Sequence, residues 1–355
     1  MLDPSAVPPT MQPVEPAQQF RGSAPTLYIL FFTFAPVALL ALSFFIASKP
    51  WFLLHDNYPM LRNSLGYSLR APACEIVIYG DSTALAGYDP AIIQQKTGLS
   101  TCNISEVLPI QYFVGSDYPL DLYLARNPRP KFLLIGWEAS SFHPVPDSFG
   151  NAQGPPEGVM YALNYGHYPH LWRNFLKTPK SVVKFGIWVE YSLIQSAMNS
   201  AHGIKEIDPF ATHGSRDQLR GLLQYPSPPQ TQCTRKFFRD PLTMPLPQTA
   251  AAISAFRERY SAGGTRVLID VTPIADCSTD KAELLHSTQG LSDNQLEFLP
   301  IGLFNASDVH LGPAGSPLVS AQAADQILAL MHQDDAAKYH LAASSAKGPG
   351  KHDLQ

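Results

Sequence analysis

Polarity along the chain changes period several times, and each change predicts a different element. From Leu27 to Ser48 twenty-two residues pass without a charge. At about 1.5 Å per residue that run makes a helix of about 33 Å, enough to cross a bilayer. Pro36 in its middle is tolerable in lipid as a kink. Residues 1–25 carry six prolines and no helix start, which predicts a disordered arm. Residues 26–49 are then a transmembrane anchor and 50–71 a linker. A cleaved signal peptide fits less well, because the apolar run is too long and the leader before it is neither short nor basic.

Beyond residue 72 the pattern shortens to buried runs of strand length: Glu75 to Tyr79, Thr101 to Val107, Lys131 to Gly136 and Arg266 to Val271. Between them lie helical stretches. Asp89-Pro90 starts one and Gly98 ends it, and Ser116 to Arg126 forms another. Gln248 to Tyr260, Asp280 to Ser287 and Leu318 to Met331 follow. Strand, helix, strand, helix, strand in this rhythm predicts an α/β fold with a doubly wound parallel sheet and right-handed crossovers. The domain runs over 72–335, and 336–355 is a flexible tail.

Residues 143–247 break the rhythm and read as a long insertion. Prolines and glycines from Pro144 to Gly158 make a loop, and Ser181 to Met198 is an aromatic-rich helix. Lys184 and Glu190 inside that stretch argue against a second span and for an amphipathic lid or a helix lying on the bilayer surface. Five histidines fall in the insertion, His143, His167, His170, His202 and His213, without metal-ligand spacing. Trp172 and Trp188 suit a buried core better than stacking on sugar rings.

Charge narrows the partners. A net charge of −4 with scattered Lys and Arg gives no footprint for nucleic acid. No phosphate loop, His-x-x-x-His or Cys-x-x-Cys is present, so no cofactor and no metal are expected. The positive-inside rule sets Arg21 before the anchor against Lys49, Arg62 and Arg70 after it, a vote for a cytoplasmic body. The four cysteines vote the other way. Cys74 and Cys102 open two strands that would lie side by side, within reach of a disulfide, and Cys233 with Cys277 could form a second. Such pairs suit an oxidising, extracytoplasmic compartment.

The candidate chemistry sits at the two ends of the α/β unit. Gly80-Asp81-Ser82 ends the first strand: Gly80 allows a sharp turn with Asp81, and Ser82 is left at the carboxyl end of a strand, where open α/β sheets place their ligands. A serine hydroxyl needs a base, and Asp308-Val309-His310 supplies an imidazole and a carboxylate in a turn before the last helix. The spacing predicts that the carboxylate reaches one ring nitrogen while the other faces Ser82.

Gly80-Asp81-Ser82 after a first strand, with Asp308-x-His310-Leu311 near the C-terminus, resembles the SGNH/GDSL hydrolase superfamily, in particular its membrane-anchored bacterial branch linked to acylation of envelope polysaccharides. The resemblance covers roughly residues 72–142 and 248–335. It implies a three-layer, flavodoxin-like arrangement and a Ser82–His310–Asp308 triad. It also implies an inner-membrane protein with a periplasmic body, a carbohydrate-ester substrate and a membrane-bound acyltransferase as partner. In the family a glycine and a Gly-x-Asn complete the oxyanion hole. Here Asn103-Ile104-Ser105-Glu106 lacks that glycine and Gly136-Trp137-Glu138 carries glutamate near the asparagine position. The backbone N–H groups of Ser82 and of a residue near Ser105 are the candidate donors. Three readings follow: a serine esterase or O-acetyltransferase, a degenerate SGNH-like binding or assembly protein, and a lipase acting on membrane lipid.

Overall fold

The computed structural model describes residues 24–49, 67–68, 70–105, 118–142, 176, 179–201, 219–224, 227–233, 247–305 and 307–346. The N-terminal arm, most of the linker, the 144–158 loop, Glu106, the five insertion histidines, Trp172, the side chain of Trp188 and the last nine residues lie outside them.

Helix α1 spans Ala24–Ala47, and Pro36 lies inside it without ending it. Tyr28, Phe31, Phe32 and Phe34 stand exposed along it, and its length and composition are sufficient to cross a membrane. The described residues divide at Leu42/Ser43, α1 up to Leu42 belonging to one unit and the residues from Ser43 onward to the body.

The body is built on four parallel strands, β1 (Ile76–Gly80), β2 (Thr101–Asn103), β3 (Phe132–Trp137) and β4 (Arg266–Val271), in the order β2-β1-β3-β4. Alternation along them feeds two apolar clusters. Val77, Tyr79, Leu133, Ile135, Ile269 and Val271 pack with Leu120, Tyr123, Ile253 and Phe256. Ile76, Ile78, Phe132, Leu134 and Leu268 pack with Ile93, Val319, Ala323 and Ile327. Both faces are covered, which is why the strands read as continuous apolar runs.

Several boundaries differ from expectation for local reasons. β2 stops at Asn103 instead of reaching Val107, because the Asn103 amide turns back: Nδ2 donates to the carbonyls of Ala84 (2.9 Å) and Tyr88 (3.1 Å), and Oδ1 accepts from the Ser105 N–H (3.0 Å). A six-residue helix that apolar periodicity does not announce, α2 (Ser82–Gly87), follows β1 at once. α3 (Pro90–Thr97) is capped by Asp89, whose carboxylate accepts from the Ala91 N–H, and ends at Gly98 in the left-handed region. α4 (Tyr118–Leu124) ends two residues before Arg126. Two further short parallel strands, β5 (Ile274–Ala275) and β6 (Phe298–Leu299), pair beyond β4. The closing helix runs on through residues expected as tail, to Ala346, from its start at Ser316.

In the insertion, α5 (Pro179–Ala201) buries Phe185 and Val189 while Val183, Ile187, Tyr191 and Ile194 line an exposed stripe. The phenyl rings of Phe44 and Phe185 are 4.9 Å apart, and the Ser43 hydroxyl donates to a Glu190 carboxylate oxygen at 3.4 Å.

One ionisable group lies in the sheet itself. Asp270, only 2% exposed, pairs in register with Gly136, and the Tyr88 hydroxyl donates to its Oδ2 at 3.5 Å. Burial, and then the neighbouring charge of Asp293, push its carboxyl up to about 7. Burial and the Asp270 charge likewise push the Tyr88 phenol well above its ordinary range. Because the folded carboxyl holds its proton more tightly than the unfolded one (about 3.9), it costs no stability below pH ~4 and increasingly more as pH rises to ~7. The loss is of order 4 kcal/mol for a shift of this size. Asp270→Asn, which cannot ionise in either state, removes that dependence. In paired unfolding curves of the full chain, the wild type loses stability relative to Asp270→Asn between pH 4 and 7, and parallel pH profiles would contradict this assignment.

Candidate active site

Ser82 opens α2 directly after β1, and the turn is held from both sides by Asp81. Asp81 Oδ1 accepts from the Thr83 N–H (2.8 Å) and the Thr83 hydroxyl (2.5 Å), and Oδ2 accepts from the Glu138 N–H (2.8 Å) at the end of β3. A carboxylate with three donors and 2% exposure fixes the direction in which α2 leaves the strand. Thr83 in turn meets the Thr272 hydroxyl at 2.7 Å, one residue past β4. The carboxyl ends of β1, β3 and β4 are thus joined through one short side-chain network, and Ser82 stands on it, half-buried.

The histidine is delivered by a closed turn. Phe304 and Leu311, both buried, form an antiparallel bridge, and the Asn305 N–H donates to the His310 carbonyl at 2.8 Å. The Ala275 N–H donates to the Asp308 carbonyl at 2.9 Å, which pins the turn to β5. Asn305 Nδ2 donates to the Ser227 carbonyl (2.8 Å), and the Gln230 N–H donates to that of Phe304 (2.7 Å), so the end of the insertion is strapped to the same turn.

These two constructions bring His310 Nε2 to 2.8 Å from Ser82 Oγ, across 228 positions of sequence. The opposite ring nitrogen, Nδ1, lies 2.6 Å from the hydroxyl of Ser307. An imidazole Nδ1 carries one hydrogen or one lone pair, so the direction expected for a carboxylate is occupied by an alcohol. Asp308 itself is wholly buried within the turn. Ser307 escapes a reading that looks for acids, although its place three residues before His310 is a signal available in the sequence.

The oxyanion side has its own geometry. Ser105 is fully buried and its N–H is engaged by Asn103 Oδ1, so that particular N–H is not available as a second donor. The Ser82 N–H has no acceptor among the described residues. Glu138 is 8% exposed and contributes its backbone N–H to Asp81.

The four cysteines form two pairs. Cys74–Cys102, with Cα atoms 6.0 Å apart, joins the starts of β1 and β2. Cys233–Cys277, at 5.7 Å, ties the returning insertion to the segment after β5. Cavities of about 620 and 320 Å³ lie elsewhere: the larger beside the helix Lys281–Thr288, the smaller beside Tyr88, Asp270 and Glu297. Neither includes Ser82 or His310. No group of three or more metal-ligating side chains occurs among the described residues. No family model, curated protein or solved structure matches this chain.

Proposed function

We propose that the chain is a membrane-anchored serine esterase or O-acetyltransferase of SGNH type, with the three-layer flavodoxin-like arrangement of that superfamily, acting on acylated envelope polysaccharide. The observation that carries this reading is the 2.8 Å approach of His310 Nε2 to Ser82 Oγ at the carboxyl rim of the sheet. In this mechanism His310 takes the Ser82 proton as the oxygen attacks an ester carbonyl, and returns it to the departing alkoxide, leaving an acyl-serine. Water then releases the acid, or a sugar hydroxyl accepts the acyl group. The Ser82 N–H is the first candidate donor to the developing oxyanion.

Anchorage by α1 at the bacterial inner membrane, with a periplasmic body, is supported by the two cysteine pairs. The exposed stripe of α5 suits a helix at the bilayer surface. A membrane-bound acyltransferase is the partner that would deliver the acyl group. The second reading, a polysaccharide-binding or assembly protein that does not turn its ligand over, draws on the engaged Ser105 N–H and on Glu138 beside the site.

The two readings separate on the full chain in detergent, given an aryl acetate and then a fluorophosphonate. Release of acetate and covalent labelling are expected of the enzyme. Intact binding of acetylated polysaccharide with neither reaction would favour the binder. Release of long acyl chains from membrane lipid, in place of acetate from polysaccharide, would move the assignment to a lipase.

A further inference from the structure

The proposal that Ser82 and His310 react together leaves the second ring nitrogen to be accounted for, and the inference that follows rests on that reading. A catalytic imidazole needs its proton on the nitrogen remote from the nucleophile, so that the near nitrogen offers a lone pair. Some fixed acceptor must hold that remote N–H, or the ring rotates and the tautomers mix. The group in place is the Ser307 hydroxyl, 2.6 Å from Nδ1.

Its position is well determined by the backbone. The Ser307 N–H donates to the Asn305 carbonyl at 2.6 Å and the Ser307 carbonyl accepts from the His310 N–H at 3.4 Å, so backbone bonds tie Ser307 to both Asn305 and His310. Ser307 and His310 are both half-buried, which leaves the ring reachable while limiting competition from water.

We infer that Ser307 is the positioning residue for His310, accepting the Nδ1 hydrogen and leaving Nε2 free to take the proton of Ser82. During attack the proton moves from Ser82 Oγ to Nε2, Nδ1 keeps its own, and the positive ring is held by an alcohol dipole. A neutral partner stabilises the imidazolium less than a carboxylate would.

An acid placed at 307 should strengthen the base, and this distinguishes a tuned position from a merely structural one. The full chain, labelled with carbon-13 in its histidines and held in detergent micelles, is titrated by NMR, with His310 identified by the signal missing from His310→Gln. Ser307→Asp is expected to raise the His310 midpoint by about one pH unit. Ser307→Ala should lower it, and Ser307→Thr, which keeps the hydroxyl, should restore it. Fluorophosphonate labelling across pH should follow, with its acid limb shifted in the same directions and its rate down about 10-fold in Ser307→Ala but not in Ser307→Thr. A midpoint that moves in Asp308→Asn and not in the Ser307 variants overturns the inference. So does one that stays put in Ser307→Asp, with thermal unfolding as the check that each variant is folded. The titration needs no turnover. A wild type that never labels would sink the esterase reading, while the midpoints would still decide the role of Ser307.

Discussion

Ser82→Ala and His310→Ala each lower turnover of an aryl acetate by at least about 10³-fold, and the double variant is no slower than the worse of the two, because the pair acts as one unit. The expectation follows from the single contact between Nε2 and Oγ at 2.8 Å. Without the base the hydroxyl is protonated and a poor nucleophile, and without the hydroxyl the base has nothing to activate. The wild-type rate should fall on the acid side, since only the neutral ring can accept the proton. The measurement is steady-state hydrolysis between pH 5 and 9, with fluorophosphonate labelling of the same preparations. Labelling that persists undiminished in Ser82→Ala would place the nucleophile elsewhere and end the catalytic account.

Gly80→Ala destabilises the body by roughly 3 kcal/mol, a large effect for one methyl group, because the clash is with backbone. A Cβ at Gly80 would overlap the carbonyl oxygen of Gly136 on the neighbouring strand and sit 2.9 Å from the Ala84 side chain in α2. Neither can retreat: Gly136 is paired in the sheet, and its carbonyl also accepts from the Asp81 N–H at 3.3 Å. A Cβ at Gly136 would meet Tyr88 at 2.5 Å and Ala84 at 2.8 Å. The two glycines therefore let α2 lie against the strand ends, and that close approach sets the height of Ser82 above the rim. Urea unfolding of the full chain followed by tryptophan fluorescence should show the loss. An unchanged midpoint would mean that the two strands separate more easily than their register indicates.

The strands at 76–80, 132–137 and 266–271 are legible because burial on both faces removes charge from their interiors. α3 is equally legible, since Asp89-Pro90 and Gly98 are local signals that need no tertiary partner. α2 is not. It is a single turn and a half with no apolar period of its own, and it forms because Asp81 caps it and the glycines behind it leave room. The early end of β2 is hidden for a related reason. Asn103 spends its amide on the carbonyls of Ala84 and Tyr88, and those become neighbours only when α2 is in place.

At the site, the residue types in Gly80-Asp81-Ser82 and Ser307-Asp308-Val309-His310 are fixed by the sequence, and so is the inventory of an alcohol, an imidazole and an acid at opposite ends of one α/β unit. The choice among them is made by folding. Spacing alone allows Asp308 to reach the ring, whereas the bridge between Phe304 and Leu311 and the tie from Ala275 orient the turn so that the hydroxyl of Ser307 meets Nδ1. Which side chain faces a ring nitrogen depends on backbone direction within a three-residue turn. That direction is set by the Phe304–Leu311 bridge together with a hydrogen bond from Ala275 of β5, some thirty residues away, and a local pattern of residues does not encode that combination.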